Sequence, residues 1–132
     1  MPELTRWFIR TALAYLLASL IAGVLLVTPG RWGALLWPTY VHLLVLGWLT
    51  QLIFGVTYWL FPRLSAAGSP GGDRLGWVSY WLLNAGLLLR VIGEPGRALG
   101  IRMDWLLLAA AFLQLTAGWA FVVSTWPRVK GR

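Results

Sequence analysis

The sequence contains no cysteine and a single histidine, His42, in 132 residues. The first absence excludes a disulfide framework, a thiolate metal centre and covalent haem attachment through a Cys-x-x-Cys-His motif. The second excludes any chemistry that needs two histidines from one chain. Acidic residues are scarce as well: four Asp and Glu stand against eleven Lys and Arg. Charged residues of all kinds make up 11%, where soluble domains carry about 25%, so the composition is not that of a soluble globular protein. Disorder is excluded from the other side, because 59% of the residues are apolar. A net charge of +7 would point to nucleic acid in a soluble chain. Here the charges fall between apolar runs and act as an orientation signal, and no nucleic-acid partner is expected.

Long apolar runs are what the sequence has in abundance. A membrane span needs about 20 mostly apolar residues, and four segments qualify, at residues 7–27, 39–61, 75–93 and 104–126. Proline punctuates them: Pro29, Pro38, Pro62, Pro95 and Pro127 lie at or beyond the expected ends. Asp104 reads as an N-cap at the positive end of the fourth helix. The first run is longer than a signal-peptide core, and Val-Thr-Pro-Gly is not a cleavage site, so it is expected to remain as a span. The chain is thus expected to be a single all-α membrane domain, a four-helix up-down bundle with antiparallel neighbours. Connections this short hold no extramembrane domain, so function is expected within the bundle or at its rims.

Arg6, Arg10, Arg63, Arg74, Arg128, Lys130 and Arg132 fall on one side, and Arg31, Arg90, Arg97 and Arg102 on the other. The positive-inside rule then places both termini in the cytoplasm. Trp7, Trp59, Trp77, Trp81 and Trp126 form an expected inner belt, with Trp32, Trp37 and Trp105 on the outer side. Trp48 and Trp119 fall deeper and are expected to pack between helices.

Polar groups inside the bilayer are costly and each needs a reason. His42 lies early in the second span and Arg90 late in the third, so with opposed directions they share a depth. Glu94 follows Arg90 at the i, i+4 spacing of an ion pair. Arg90 has two readings, a snorkelling arginine paired with Glu94 or a bidentate partner for an anionic group. His42 likewise reads as an interfacial histidine bonded to a carbonyl, or as a metal ligand to haem iron, copper or zinc. At about 100° per residue, Leu46, Leu49, Ile53, Val56 and Leu60 continue the His42 face. Gly47, Gln51 and Gly55 lie opposite, where small residues permit close helix approach. Gln51 and Gln114 share a depth and read as packing groups, as do Asn84 and Thr116. Met103 is in the outer loop and reads as packing.

The run from His42 through Gly47-Trp48, Gly55 and Tyr58-Trp59 to Pro62-Arg63 resembles a histidine-bearing helix of the catalytic subunits of haem-copper oxygen reductases and nitric oxide reductases. The segment from Trp81 through Asn84 and Arg90 to Glu94-Pro95 is similar to the third helix of short four-helix proteins related to subunit I of the C-type oxidases. The resemblance implies haem b, with His42 as axial ligand and Arg90 near a propionate, serving electron transfer or binding of a diatomic gas. It also implies a prokaryotic cytoplasmic membrane and a respiratory-chain redox partner. The family's large subunit comprises three four-helix units, so the resemblance further implies a homotrimer that imitates it. One histidine per chain cannot build the family's binuclear centre, and Tyr58 lies about 24 Å along the helix from His42. The chain is therefore not expected to be a terminal oxidase by itself. Two alternatives stand beside haem binding: a cofactor-free structural or assembly subunit of a respiratory complex, and a copper or zinc site made by His42 residues of several copies.

Overall fold

The computed structural model describes residues 1–61 and 70–129, the side chains of residues 70–73 excepted. Among the described residues the chain is helical, with no strand. We label the four helices α1 (Glu3–Val27), α2 (Trp32–Leu60), α3 (Pro70–Ala98) and α4 (Asp104–Val129). Each has a stretch long and apolar enough to cross a membrane. A helix of 25 residues, such as α1, is about 37 Å long, against a hydrocarbon core of about 30 Å.

The distribution of side chains is that of a bundle surrounded by lipid. Large apolar residues point outward, among them Leu17, Ile21, Val27, Leu108, Phe112 and Trp126. Small and polar residues are inside: α4 buries Ala110, Ala117, Ala120, Ser124 and Thr125. In hydrocarbon the helices gain nothing by hiding leucine, and association depends on close packing and hydrogen bonds. Gly47 lets α2 approach α1, since a Cβ there would lie 2.8 Å from Tyr15 Cγ. Gly86 does the same for α3 and α4, where a Cβ would meet Gln114 Cγ at 2.8 Å and the Ala110 carbonyl at 3.0 Å. Phe8, Phe54, Tyr58, Tyr80, Leu83 and Leu87 fill the core between these pairs. Phe54 stacks on Phe121 with ring centroids 3.7 Å apart, and the Tyr58 and Ser124 hydroxyls are 2.6 Å apart, so α2 also reaches α4.

The helices run beyond several of the expected ends. α2 begins at Trp32 instead of residue 39, with Pro38 inside it. α3 continues past residue 93 to Ala98 with Pro95 inside it, and α4 runs past residue 126 to Val129 with Pro127 inside it. Neighbouring helices and local adjustment make internal prolines tolerable in membrane helices. The chain leaves α3 at Gly100, whose φ of 84° suits glycine, with its N–H bonded to the Arg97 carbonyl. Asp104 is the first residue of α4 and pairs with Arg97 at 3.4 Å. Trp119 is 64% exposed on the bundle surface and does not pack between helices, because α4 turns Ala117 and Ala120 inward instead. Pro62, Arg63, Lys130 and Arg132 lie outside the described residues.

The largest departure is within α2. Residues Leu43–Thr50 form a π-helix between the α-helical segments Trp32–His42 and Gln51–Leu60. The Thr50 hydroxyl donates to the Val45 carbonyl five residues back, at 2.9 Å. A π-helix turns roughly 80° per residue against about 100° for an α-helix. Facing read from uniform α-helical turning holds for Gly47 and Gly55, which both lie against α1, and fails for the stripe below His42. Leu49, Ile53 and Leu60 of the expected His42 face are exposed, while Leu46 packs against the core.

Candidate functional site

His42 is the last α-helical residue before the π segment. Its Nδ1 lies 2.9 Å from the Pro38 carbonyl oxygen and 2.8 Å from Glu94 Oε1. Both partners are acceptors, so Nδ1 carries the hydrogen and shares it between them. In the neutral ring the lone pair then resides on Nε2. The side chain is 30% exposed. An imidazole held in this way, with a carboxylate on one nitrogen and the other nitrogen left as an acceptor, has the orientation that metal-ligating histidines use.

Glu94 is the hub. Its side chain is only 5% exposed, and Oε1 also accepts from Arg90 Nη1 at 3.1 Å. Arg90 Nε donates to Gln114 Oε1 at 2.8 Å, which ties α3 to α4. The i, i+4 pair of Arg90 and Glu94 read from the sequence is therefore present, and His42 joins it. The sequence sets Glu94 just beyond the end of the third span. Continuation of α3 through Pro95 is what carries its carboxylate into the bundle beside α2.

The Thr39 hydroxyl lies against the Glu94 carboxylate as a further donor, while Gln114 Nε2 and Gln51 Oε1 are buried with no hydrogen-bond partner. A groove of about 460 Å³ adjoins the cluster, lined by Pro38, Arg90, Glu94, Arg97, Ala98 and Leu107. Gln51 does not meet Gln114. It donates from Nε2 to Asn84 Oδ1 at 3.1 Å, and Asn84 donates to the Tyr80 carbonyl at 2.8 Å. Thr116 bonds only within its own helix, and Met103 packs over Gly96.

A donor set for a metal held by one chain is lacking: among the described residues no three of His, Cys, Asp and Glu group together. For haem the fit divides. The His42 imidazole has the tautomer and partial exposure of an axial ligand, and the Arg90 guanidinium has N–H groups beyond the two used by Gln114 and Glu94. The bundle interior, however, is filled by Phe8, Phe54, Tyr80, Leu83 and Leu87. A haem on His42 would lie against the outward face of α2, where Val45 and Leu49 are exposed. No family model matches the chain, and neither a curated protein nor a solved structure matches it.

Proposed function

We propose that the chain is a haem b-binding membrane protein of a prokaryotic cytoplasmic membrane, with His42 Nε2 as axial ligand and Arg90 beside a propionate. The observation that carries this reading is the His42 ring itself, whose Nδ1–H is engaged by Glu94 and Pro38. Glu94 and the Pro38 carbonyl orient the ring, and the carboxylate raises its basicity toward a metal. Bound iron would supply one-electron transfer or a position for a diatomic gas. With the interior filled, the cofactor would sit at a boundary between copies. The homotrimer follows from this as a way to cover the His42 face. A copper or zinc site would likewise need His42 from several copies.

The remaining features of the reading are an up-down bundle with antiparallel neighbours, both termini in the cytoplasm and a respiratory redox partner. Pairing of early α1 with late α2 (Phe8 with Phe54) and of late α3 with early α4 (Gly93 with Leu107) supports the antiparallel arrangement. The charge bias supports the orientation.

The absorption spectrum of detergent-purified protein tests the proposal. A Soret band, present as isolated or gained with haemin and lost in His42→Ala, is expected. A colourless protein that gains no band favours the second reading, a cofactor-free subunit of a larger membrane complex, to which the filled aromatic core is equally suited.

A further inference from the structure

We propose that α4 is a contact surface between copies of this chain, with Trp119 of each copy seated in a groove on the other. Trp105, Phe112, Trp119 and Trp126 recur at every seventh residue on the outward face of α4, each 61–69% exposed. Tryptophan is enriched at the ends of a span, where the indole N–H meets water or headgroups. Trp119 does not fit that rule. It lies about 4 Å from the mid-point of α4, whereas the hydrocarbon extends about 15 Å to either side. No described residue accepts its N–H. The outward face of α1 is the contrast: Leu13, Leu17, Leu20 and Val24 are exposed in mid-span, and its only tryptophan, Trp7, stands near the end.

Beside Trp119 is a groove of about 590 Å³, whose lining on α4 includes Leu115, Gly118, Trp119 and Val122. Residues at i, i+3, i+4 and i+7 form the four-sided hole into which a side chain of a facing helix inserts. When two such helices run parallel, the side chain that meets this hole belongs to the same layer, here Trp119 of the second copy. The charge bias inserts all copies in the same sense, so the two α4 helices run parallel and the contact is reciprocal. Gly118 deepens the hole, since nothing lies within 4 Å of the side chain it lacks. Gln114 lines the groove as well, and its Oε1 offers a lone pair beyond the one taken by Arg90, an acceptor for the incoming indole N–H. The four aromatic side chains, with Leu108, Leu115 and Val122 between them, expose an area on the order of 800 Å², that of one side of a stable complex. This surface is separate from the His42 face of α2 and does not depend on haem binding.

The chain has no cysteine, so single-cysteine variants in liposomes at low protein density report the contact directly. Leu115→Cys is expected to give a cross-linked dimer on mild oxidation, because residues facing each other across such a seam come within disulfide range. Leu17→Cys, outward on α1, is expected to give none. In the Leu115→Cys chain, Trp119→Ala and Gly118→Leu are each expected to lower cross-linking about tenfold, with the melting temperature in dilute detergent unchanged. Gly118→Ala is expected to keep the cross-link, since a methyl leaves most of the groove open. Absence of the Leu115→Cys cross-link, an equal one from Leu17→Cys, or a cross-link insensitive to both Trp119→Ala and Gly118→Leu overturns the proposal. A cross-link through Val45→Cys, on the His42 face, without one through Leu115→Cys also overturns it, and leaves the haem reading standing.

Discussion

His42 and Gln51, nine residues apart on α2, both reach α3: one meets Glu94 and the other Asn84. A continuous α-helix would set them on opposite faces, since nine steps of about 100° leave a net half-turn. The π-helical stretch between them removes roughly 20° at each step and brings the two onto nearly the same face. The π-helix is thus what allows the rim cluster and the mid-bundle hydrogen bond to exist together.

That relationship can be tested by changing the length of the segment. Deleting Val45 lets the remaining residues wind as an α-helix while keeping His42 and Gln51 within roughly 80° of each other. Deleting Leu44 together with Val45 leaves seven α-helical steps and sets the two within roughly 20° of each other. The single deletion is expected to lower the melting temperature in detergent markedly more than the double deletion. Equal losses would show that the π geometry has no part in the pairing.

Glu94 holds two partners in a poorly hydrated position, so its removal leaves the Arg90 charge, 18% exposed, without a counter-charge. Breaking a buried pair in this way costs about 3–5 kcal/mol. Glu94→Ala is expected to approach the lower end of that range, because Arg90 keeps its bond to Gln114 and some exposure. The double variant Arg90→Ala with Glu94→Ala should lose less than the sum of the two single variants. Thermal unfolding of the four proteins checks it, and strict additivity would mean that the pair is not coupled.

How much of this was legible in the sequence depends on the kind of signal. The four spans were legible, because an apolar run of 20 residues has few other fates. The sequence sets His42 and Arg90 at one depth, and both meet the Glu94 carboxylate. For Glu94 the sequence offers only Arg90 as a partner, since Pro95 reads as the end of the helix. A proline preceded by a turn of helix already satisfied by its neighbours does not end a membrane helix, and nothing in the local sequence distinguishes the two cases. The partners of Gln51 and Gln114 were not legible, because shared depth does not specify direction and the π-helix changed the direction of one of them.

Gln51 and Asn84 form the mid-bundle hydrogen bond, and both are buried. Side-chain hydrogen bonds within membrane bundles average about 0.6 kcal/mol and reach about 1.7. Gln51→Leu alone also strands the Asn84 carbonyl, so its loss should lie toward the upper figure. Adding Asn84→Leu should restore part of that stability. Unfolding in a mixed-micelle titration distinguishes this from a steric effect, in which the second substitution would make matters worse.

Two glycines on facing helices should respond oppositely to the same change. At Gly86 an added methyl meets the Ala110 carbonyl at 3.0 Å and Gln114 Cγ at 2.8 Å, and the first of these is backbone that cannot step aside. Gly86→Ala is expected to force α3 and α4 apart at a cost of about 1–3 kcal/mol, the range of overpacked cores. It should also weaken the Arg90 to Gln114 bond, because Gln114 is the side chain displaced. At Gly118 nothing lies within 4 Å of the new atom. There the gain in helix propensity of about 1 kcal/mol is unopposed, so Gly118→Ala should be neutral or stabilising. Melting temperatures of the two variants, compared in one detergent, decide the matter: similar losses would place a partner or a helix over Gly118, and similar tolerance would mean that α3 and α4 do not pack as closely as Gly86 implies.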